Sequence, residues 1–362
     1  PDEGTHWEQP DLVATLTLIS ERGADAFYRG AIAELIADEM ERGQGLITLE
    51  DLRAYHPVWR DPIEISYRGY TIYSMPPPSS GGVTLAQILN ILEGFEELPP
   101  AGSPELIHLQ AEAMRWSFRD RNRHLGDPDF VTIPLDRLLS KDYAANLRSR
   151  IDPRRASSTP PTAETTSESD HTTHYSVVDG QGRAAAITTT LNGLFGCGVT
   201  VTGAGFLLNN EMDDFTAAPN RPNQFGLVQG DVNSISPGKR MLSSMTPTIV
   251  VSAGGELELV LGTRGGPRII SSVFHVVSNL IDQGMGIGEA VGAPRVHHQA
   301  LPDEILYEPA GLSEAQKTAL RNMGHRLRRD SLTFGDVNTI WRNRDSWIGI
   351  SDPRRSGGAV GY

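Results

Sequence analysis

Cysteine is almost missing from this sequence: among 362 residues there is one, Cys197. A single thiol excludes an internal disulfide and any cysteine-rich metal site. It fits a secreted or periplasmic bacterial protein as well as a cytosolic one, so the compartment stays open. Long apolar runs are missing too. The longest, around residues 269–281, is broken by Ser271, Ser272, His275, Ser278 and Asn279, which leaves it too short and too polar to span a bilayer. Positive charge is in deficit: 32 Lys and Arg stand against 45 Asp and Glu, a formal net charge of −13. Nucleic acids and anionic membranes are held through Lys/Arg patches, so neither is an expected partner. Pro1-Asp2-Glu3 shows no initiator Met, basic stretch or apolar signal core. The sequence therefore reads as a mature piece or fragment, with any export signal upstream.

What is present describes a globular protein. Apolar residues make up 38% and charged residues 21%, and 362 residues are enough for two ordinary domains or one large layered one. The first part reads as helical. Leu12, Leu16 and Ile19 share a face before Gly23, and Ile32, Leu35 and Ile36 share another before Gly43. A Pro-rich turn at 75–82 precedes a third helical pattern with Leu85, Ile88, Leu89 and Leu92. Ser103-Pro104 predicts the opening of a long helix, Ser as cap and Pro at the first helical position.

Residues 157–171 change character: they are Ser, Thr, Pro and Glu with no apolar anchor, a flexible surface segment by composition. Strand pairs follow. Residues 175–178 and 184–190 flank the turn Asp179-Gly180-Gln181-Gly182, residues 247–252 and 256–261 flank Ala253-Gly254-Gly255, and 337–341 pair with 347–351. Between them lie helix signals at 269–282 and at 313–323, the latter with a capping box of Ser313 and Gln316 and a stop at Gly324. Strand pairs alternating with helices predict a layered fold with sheets buried between helices.

The junction of flexible segment and strand carries the chemistry. A Thr hydroxyl is a poor nucleophile, but a free α-amino group titrates near ~8, so an N-terminal Thr supplies nucleophile and base in one residue. That device needs the peptide bond before the Thr to be cut, and an accessible run ending at Thr172 suits it. The residues alone also allow a plain Ser/Thr-rich linker entering a strand.

Thr172-Thr173-His174-Tyr175-Ser176-Val177-Val178-Asp179 resembles the small-subunit start of the γ-glutamyltransferase (γ-glutamyltranspeptidase) family of N-terminal-nucleophile hydrolases. Further blocks fall in the family order. They are Thr190-Leu191-Asn192, the run 208–215, Lys239-Arg240-Met241-Leu242-Ser243-Ser244-Met245, Gly265-Gly266-Pro267-Arg268, the run 293–299 and Ser351-Asp352-Pro353-Arg354. Upstream, Tyr67-Arg68-Gly69-Tyr70, the turn at 75–82 and Gly126-Asp127-Pro128-Asp129-Phe130 resemble the later half of the large subunit.

The resemblance implies an α+β fold, a four-layer αββα sandwich to which both parts contribute. Residues 1–171 would be the mostly helical later half of the large subunit, ending in the flexible tail 157–171, and residues 172–362 the small subunit. The two would form a heterodimer after autocleavage at His171–Thr172. It implies that Thr172 is the nucleophile, that Thr190 orients it, and that the N–H groups of Gly265 and Gly266 receive the oxyanion. Asn192, Glu211 and Asp214 would hold a substrate α-ammonium, and Ser243 and Ser244 its α-carboxylate. The implied reaction cleaves γ-glutamyl amides such as glutathione and passes the acyl group to water, amino acids or peptides, with no cofactor and no metal, in the periplasm or after secretion. The alternatives are a glutaryl/cephalosporin acylase of the same superfamily, or a non-catalytic precursor fragment.

Residues 219–230 match the family's lid loop, with Phe225 where several relatives carry Tyr. Relatives also pair the α-carboxylate with an Arg from the earlier half of the large subunit, and no residue of this chain matches it. His297-His298 invites a metal, but adjacent strand residues face opposite ways and no third ligand is spaced nearby. His174 reads as support for its strand and not as the base. Arg295 and Arg354 read equally as surface charges or as structural or processing residues.

Overall fold

The computed structural model describes residues 4–159 and 172–362. His171 and most of the expected flexible segment, from residue 160 on, lie outside the described residues. The chain divides into two compact units, Pro1–Arg60 with Leu191–Asn210, and Asp61–Thr190 with Glu211–Tyr362.

The first unit holds helices α1 (Pro10–Arg22), α2 (Ala24–Tyr28), α3 (Ala31–Gly43) and α4 (Leu49–Ala54). Pro10 lies in the first turn of α1, and Thr48 with Asp51 forms the capping box that starts α4. Ile32 and Ile36, one turn apart on α3, pack with Leu52 and with Val201 and Ala204 of the later segment. The Thr15 hydroxyl donates to the Ala204 carbonyl at 2.8 Å, which ties α1 to that segment.

The second unit opens with β1 (Ile63–Tyr67), β2 (Tyr70–Ser74), α5 (Gly81–Glu93), α6 (Pro104–His124), α7 (Leu135–Leu138) and α8 (Lys141–Arg148). The hairpin β3 (Thr172–Val178) and β4 (Ala184–Thr190) follows. After a 3-10 turn, Glu211–Asp214, come β5 (Thr248–Val251), β6 (Leu257–Gly262), α9 (Arg268–Ile281) and α10 (Ile287–Gly292). The unit closes with β7 (Val296–His297), β8 (Ile305–Tyr307), α11 (Glu314–Asn322), β9 (Leu327–Arg329), β10 (Asn338–Asn343) and β11 (Ser346–Ile350).

Six strands form one antiparallel sheet in the order β1-β2-β5-β6-β10-β11. Hairpin β3–β4 is a separate sheet that packs on β5, β6 and β10, while α5 packs on β1 and β2 and against α6, α8 and α9. Helices, six-stranded sheet and two-stranded sheet supply three of the four layers expected of an αββα sandwich. The main core joins Ile65 and Ile72 of the sheet to Ile88, Leu89, Phe118, Val273 and Phe274 of the helices. Val260 and Leu261 of β6 are fully buried, which explains the unbroken apolar run there.

Ser103 caps α6 by accepting from the Leu106 N–H at 3.2 Å, and Ser313 with Gln316 boxes the start of α11, both as the sequence predicts. Hairpin β1–β2 breaks the expectation of a helical first part. Ile63, Ile65 and Tyr67 are buried at alternate positions, and Arg68 and Gly69 turn the chain at positive φ. This period-2 signal is only five residues long and sits among stronger helical ones.

Candidate active site

Antiparallel register sets the first residue of β3 opposite the last of β4, so Thr172 faces Thr190 across the hairpin. Thr172 Oγ1 donates to Thr190 Oγ1 at 3.2 Å, and Thr172 is buried. The strand's alternation buries His174 with Thr172 and exposes Thr173 and Tyr175. The His174 ring engages Thr188 Oγ1 at 2.8 Å through Nδ1 and Ser176 Oγ at 3.2 Å through Nε2. Burial lowers its pKa to about 4, so the ring is neutral near pH 7. Both ring nitrogens are engaged within the hairpin, which suits the supporting role read from the sequence.

The segment leaving β6 carries Gly265 and Gly266 into α9. Their φ values, 129° and 52°, lie where a side chain is strained. Their carbonyls accept from the N–H groups of Arg268 and Ile269, both at 3.0 Å. Their own N–H groups stand at the helix entrance, where amides lack helical partners. A Cβ on Gly266 would meet Phe225 Cδ1 at 2.7 Å. The loop at 219–230 is therefore seated on the glycine turn. Phe225, Leu227 and Val228 are buried, Gln224 N–H donates to Asp213 Oδ2 at 2.9 Å, and Gln299 Nε2 donates to the Phe225 carbonyl at 3.0 Å.

Glu211 and Asp214 share the 3-10 turn after β4. Burial pushes the Glu211 carboxyl up to about 7. Asn233 Nδ2 donates to the Asp214 carbonyl oxygen at 2.7 Å, fixing the turn. Ser243 is held from the Pro-rich turn: its N–H donates to the Pro78 carbonyl at 3.0 Å, and its carbonyl accepts from Ser80 N–H at 2.9 Å.

Between these groups lies a residue that the sequence analysis missed. Arg121 of α6 is fully buried. Its Nε donates to Ser80 Oγ at 3.0 Å, its Nη2 to Ser244 Oγ at 3.3 Å and its Nη1 to Asn122 Oδ1 at 3.0 Å. Burial pushes this guanidinium down to about 10, against the opposing pull of Asp214. The available signal was an arginine within the apolar stripe Met114, Phe118, Leu125.

Asn192 lies in the first unit, buried and at φ 68°, with its Nδ2 donating to the Asn210 carbonyl at 3.3 Å. The two arginines left open are structural. Arg295 pairs with Asp352 at 2.8 Å, and Arg354 pairs with Glu308 at 2.6 Å and Asp352 at 3.1 Å, with almost no exposure. His297 is held by Ser271 and Gln299 and His298 by Asp303, so these neighbours diverge. Among the described residues, three other buried side chains have metal-ligand atoms within 4.8 Å: His108, Glu112 and His325. His108 Nδ1 and His325 Nε2 are hydrogen-bonded to each other at 2.7 Å.

Among the described residues no helix is long and apolar enough to cross a membrane. A family model described as Gamma-glutamyltranspeptidase matches residues 1–362. The "Glutathione hydrolase proenzyme" of Escherichia coli (strain K12) is 48% identical over 351 residues, 96% of this chain and 60% of that protein. The chain thus spans less than two thirds of that relative. A cephalosporin acylase from Bacillus halodurans superposes with a TM-score of 0.85 at 28% identity, over 100% of this chain and 64% of that one. A gamma-glutamyltranspeptidase from Pseudomonas nitroreducens, solved with L-DON, gives a TM-score of 0.51 at 47% identity, over 52% of this chain and 99% of that one. The α+β fold is that of the N-terminal-nucleophile hydrolases, as the resemblance implies.

Proposed function

Since the chain belongs to the gamma-glutamyltranspeptidase family, we propose that it carries the reaction centre of an enzyme that cleaves γ-glutamyl amides through Thr172. The observation that carries the proposal is the buried hydroxyl pair Thr172–Thr190 at the head of β3. In the uncut chain the Thr172 nitrogen is an amide and has no basic lone pair. The hydroxyl attacks the His171 carbonyl, the acyl group shifts from nitrogen to oxygen, and water hydrolyses the resulting ester. The new α-amino group then serves as base for the same hydroxyl.

In the reaction itself, Thr172 Oγ1 attacks the γ-carbonyl of the donor and its proton passes through the α-amine to the departing amine. Gly265 and Gly266 N–H groups receive the oxyanion; glycine allows the close backbone approach. Asn192, Glu211 and Asp214 hold the α-ammonium, and Ser243 and Ser244 donate to the α-carboxylate. Water, an amino acid or a peptide then takes the γ-glutamyl group from the ester. These assignments rest on the family blocks. The loop 219–230, seated by Phe225, is the lid.

Residues 1–171 and 172–362 become the two subunits of one heterodimer. The Pseudomonas nitroreducens match, about half of this chain at nearly its own full length, supports that division. Glutathione is the representative donor, since the Escherichia coli relative is named a glutathione hydrolase proenzyme. The periplasm or the outside of the cell is the proposed location.

The acylase likeness favours a second reading, with a glutaryl side chain as donor. A glutaryl group has no α-ammonium, so the carboxylates Glu211 and Asp214 favour γ-glutamyl. The whole protein assayed with chromogenic γ-glutamyl and glutaryl amides decides between them. Intact mass is expected to show two chains, the smaller beginning at Thr172, and Thr172→Ala to leave one inactive chain. Full activity in a single uncut chain would overturn the mechanism.

A further inference from the structure

We propose that Arg121 is a positioning residue of the α-carboxylate subsite, turning the Ser244 hydroxyl proton toward the donor. The inference rests on the γ-glutamyl reading above and adds a residue to it. Arg121 and Arg115 are both fully buried in α6; Arg115 is paired with Glu112 and Asp303, whereas Arg121 is held by Ser80, Asn122 and Ser244. Arg121 continues the stripe of Met114 and Phe118 into the core at 1% exposure, a place where a guanidinium is costly unless its donors and charge are matched.

The matching groups lie around the expected subsite. Nε reaches Ser80 Oγ and Nη2 reaches Ser244 Oγ, while Asp214 supplies the opposing charge.

The two serines differ in what remains to them. Ser80 Oγ accepts from Arg121 and passes its own proton to the Ser243 carbonyl at 2.8 Å, so both of its functions are spent. Ser244 Oγ accepts from Arg121, and among the described residues its proton goes to no other group. A guanidinium has no acceptor capacity, so the Ser244 O–H cannot turn back onto it. The proton is aimed away from Arg121 and is ready to donate to an incoming carboxylate. A hydroxyl ordered before binding costs less to immobilise than a free rotor. Arg121 does not touch the donor; it acts through Ser244.

The test compares wild type, Arg121→Gln, Arg121→Lys and Ser80→Ala in the whole protein. Each is measured on a γ-glutamyl anilide and on its α-carboxamide analogue. Arg121→Gln is expected to raise KM for the carboxylate donor about 10- to 100-fold with little change in kcat, and to shrink the preference over the carboxamide. Arg121→Lys keeps the charge and is expected to recover part of that preference. Ser80→Ala leaves Arg121 in place but frees one of its donors, so a smaller loss in the same direction is expected. If Arg121→Gln does not fold, Ser80→Ala and Arg121→Lys still decide, and an unchanged donor preference in both overturns the inference. Equal losses on the two donors mark a merely structural role and overturn it as well. A wild type inert toward γ-glutamyl donors overturns the activity reading together with this inference, whereas an active wild type with unchanged preference in the variants overturns the inference alone.

Discussion

The imidazole of His174 lies in the space that a Cβ on Gly262 would fill. His174 stands two residues after Thr172, and Gly262 stands three before Gly265, so this one contact locks the proposed nucleophile strand to the strand that feeds the proposed oxyanion turn. Asn338 of β10 adds to the lock, its Nδ2 donating to the His174 carbonyl at 3.2 Å.

Gly262→Ala is therefore expected to push His174 out of its seat and tilt the start of β3. Overpacking of this kind costs about 1–3 kcal/mol. A lowered thermal midpoint together with slowed appearance of the two subunits is the expected outcome. A variant that processes at the wild-type rate would show that the two strands are set independently.

Thr190→Val keeps the shape of the side chain and removes the hydroxyl that Thr172 engages. Slower autocleavage and a lower kcat are expected, with thermal stability changed by no more than about 1 kcal/mol for one neutral hydrogen bond. Timed gel analysis beside steady-state kinetics separates the two effects. Unchanged kcat would remove Thr190 from the proposed site.

Asp214→Asn tests the α-ammonium assignment. A hydrogen bond to a charged group contributes roughly 1.5–3 kcal/mol, so kcat/KM for γ-glutamyl donors is expected to fall by about 10- to 100-fold. Glutaryl donors, which have no α-ammonium, are expected to lose much less. Equal losses for both would refute the assignment.

Glu211 sets a pH dependence. Burial raises its pKa to about 7, so the group is protonated below that value and ionised above it. Only the ionised form attracts an α-ammonium strongly. Donor KM is expected to fall as pH rises from 6 to 8, while the donor ammonium stays charged. In Glu211→Gln this step should vanish. A KM profile equally steep in the variant would assign the titration to another group.

Much of this protein was legible in its residues because the signals are local. Ser103-Pro104 and the Ser313/Gln316 box start helices through atoms within three or four positions, and the turn Asp179-Gly180-Gln181-Gly182 marks a hairpin between the strands on either side of it. The family blocks likewise name Thr172, Thr190 and the paired glycines without any fold in hand. Hairpin β1–β2 was not legible, since its short alternation competes with helical patterns on either side; in the sheet β1 pairs with β2 and β2 with β5.

Composition, charge and ordered motifs by themselves determined the family, the fold class and the residues on which to look for chemistry. The tertiary structure alone decided which of them meet. Thr172 reaches Thr190 only through the hairpin register. Phe225 reaches Gly266 only because its loop folds back onto the glycine turn. Arg121 is joined to Ser80 and Ser244, which lie on two other stretches of chain. A buried charge of that kind is invisible in sequence because its worth depends on partners far along the chain, and only packing removes the water that would otherwise make those partners unnecessary.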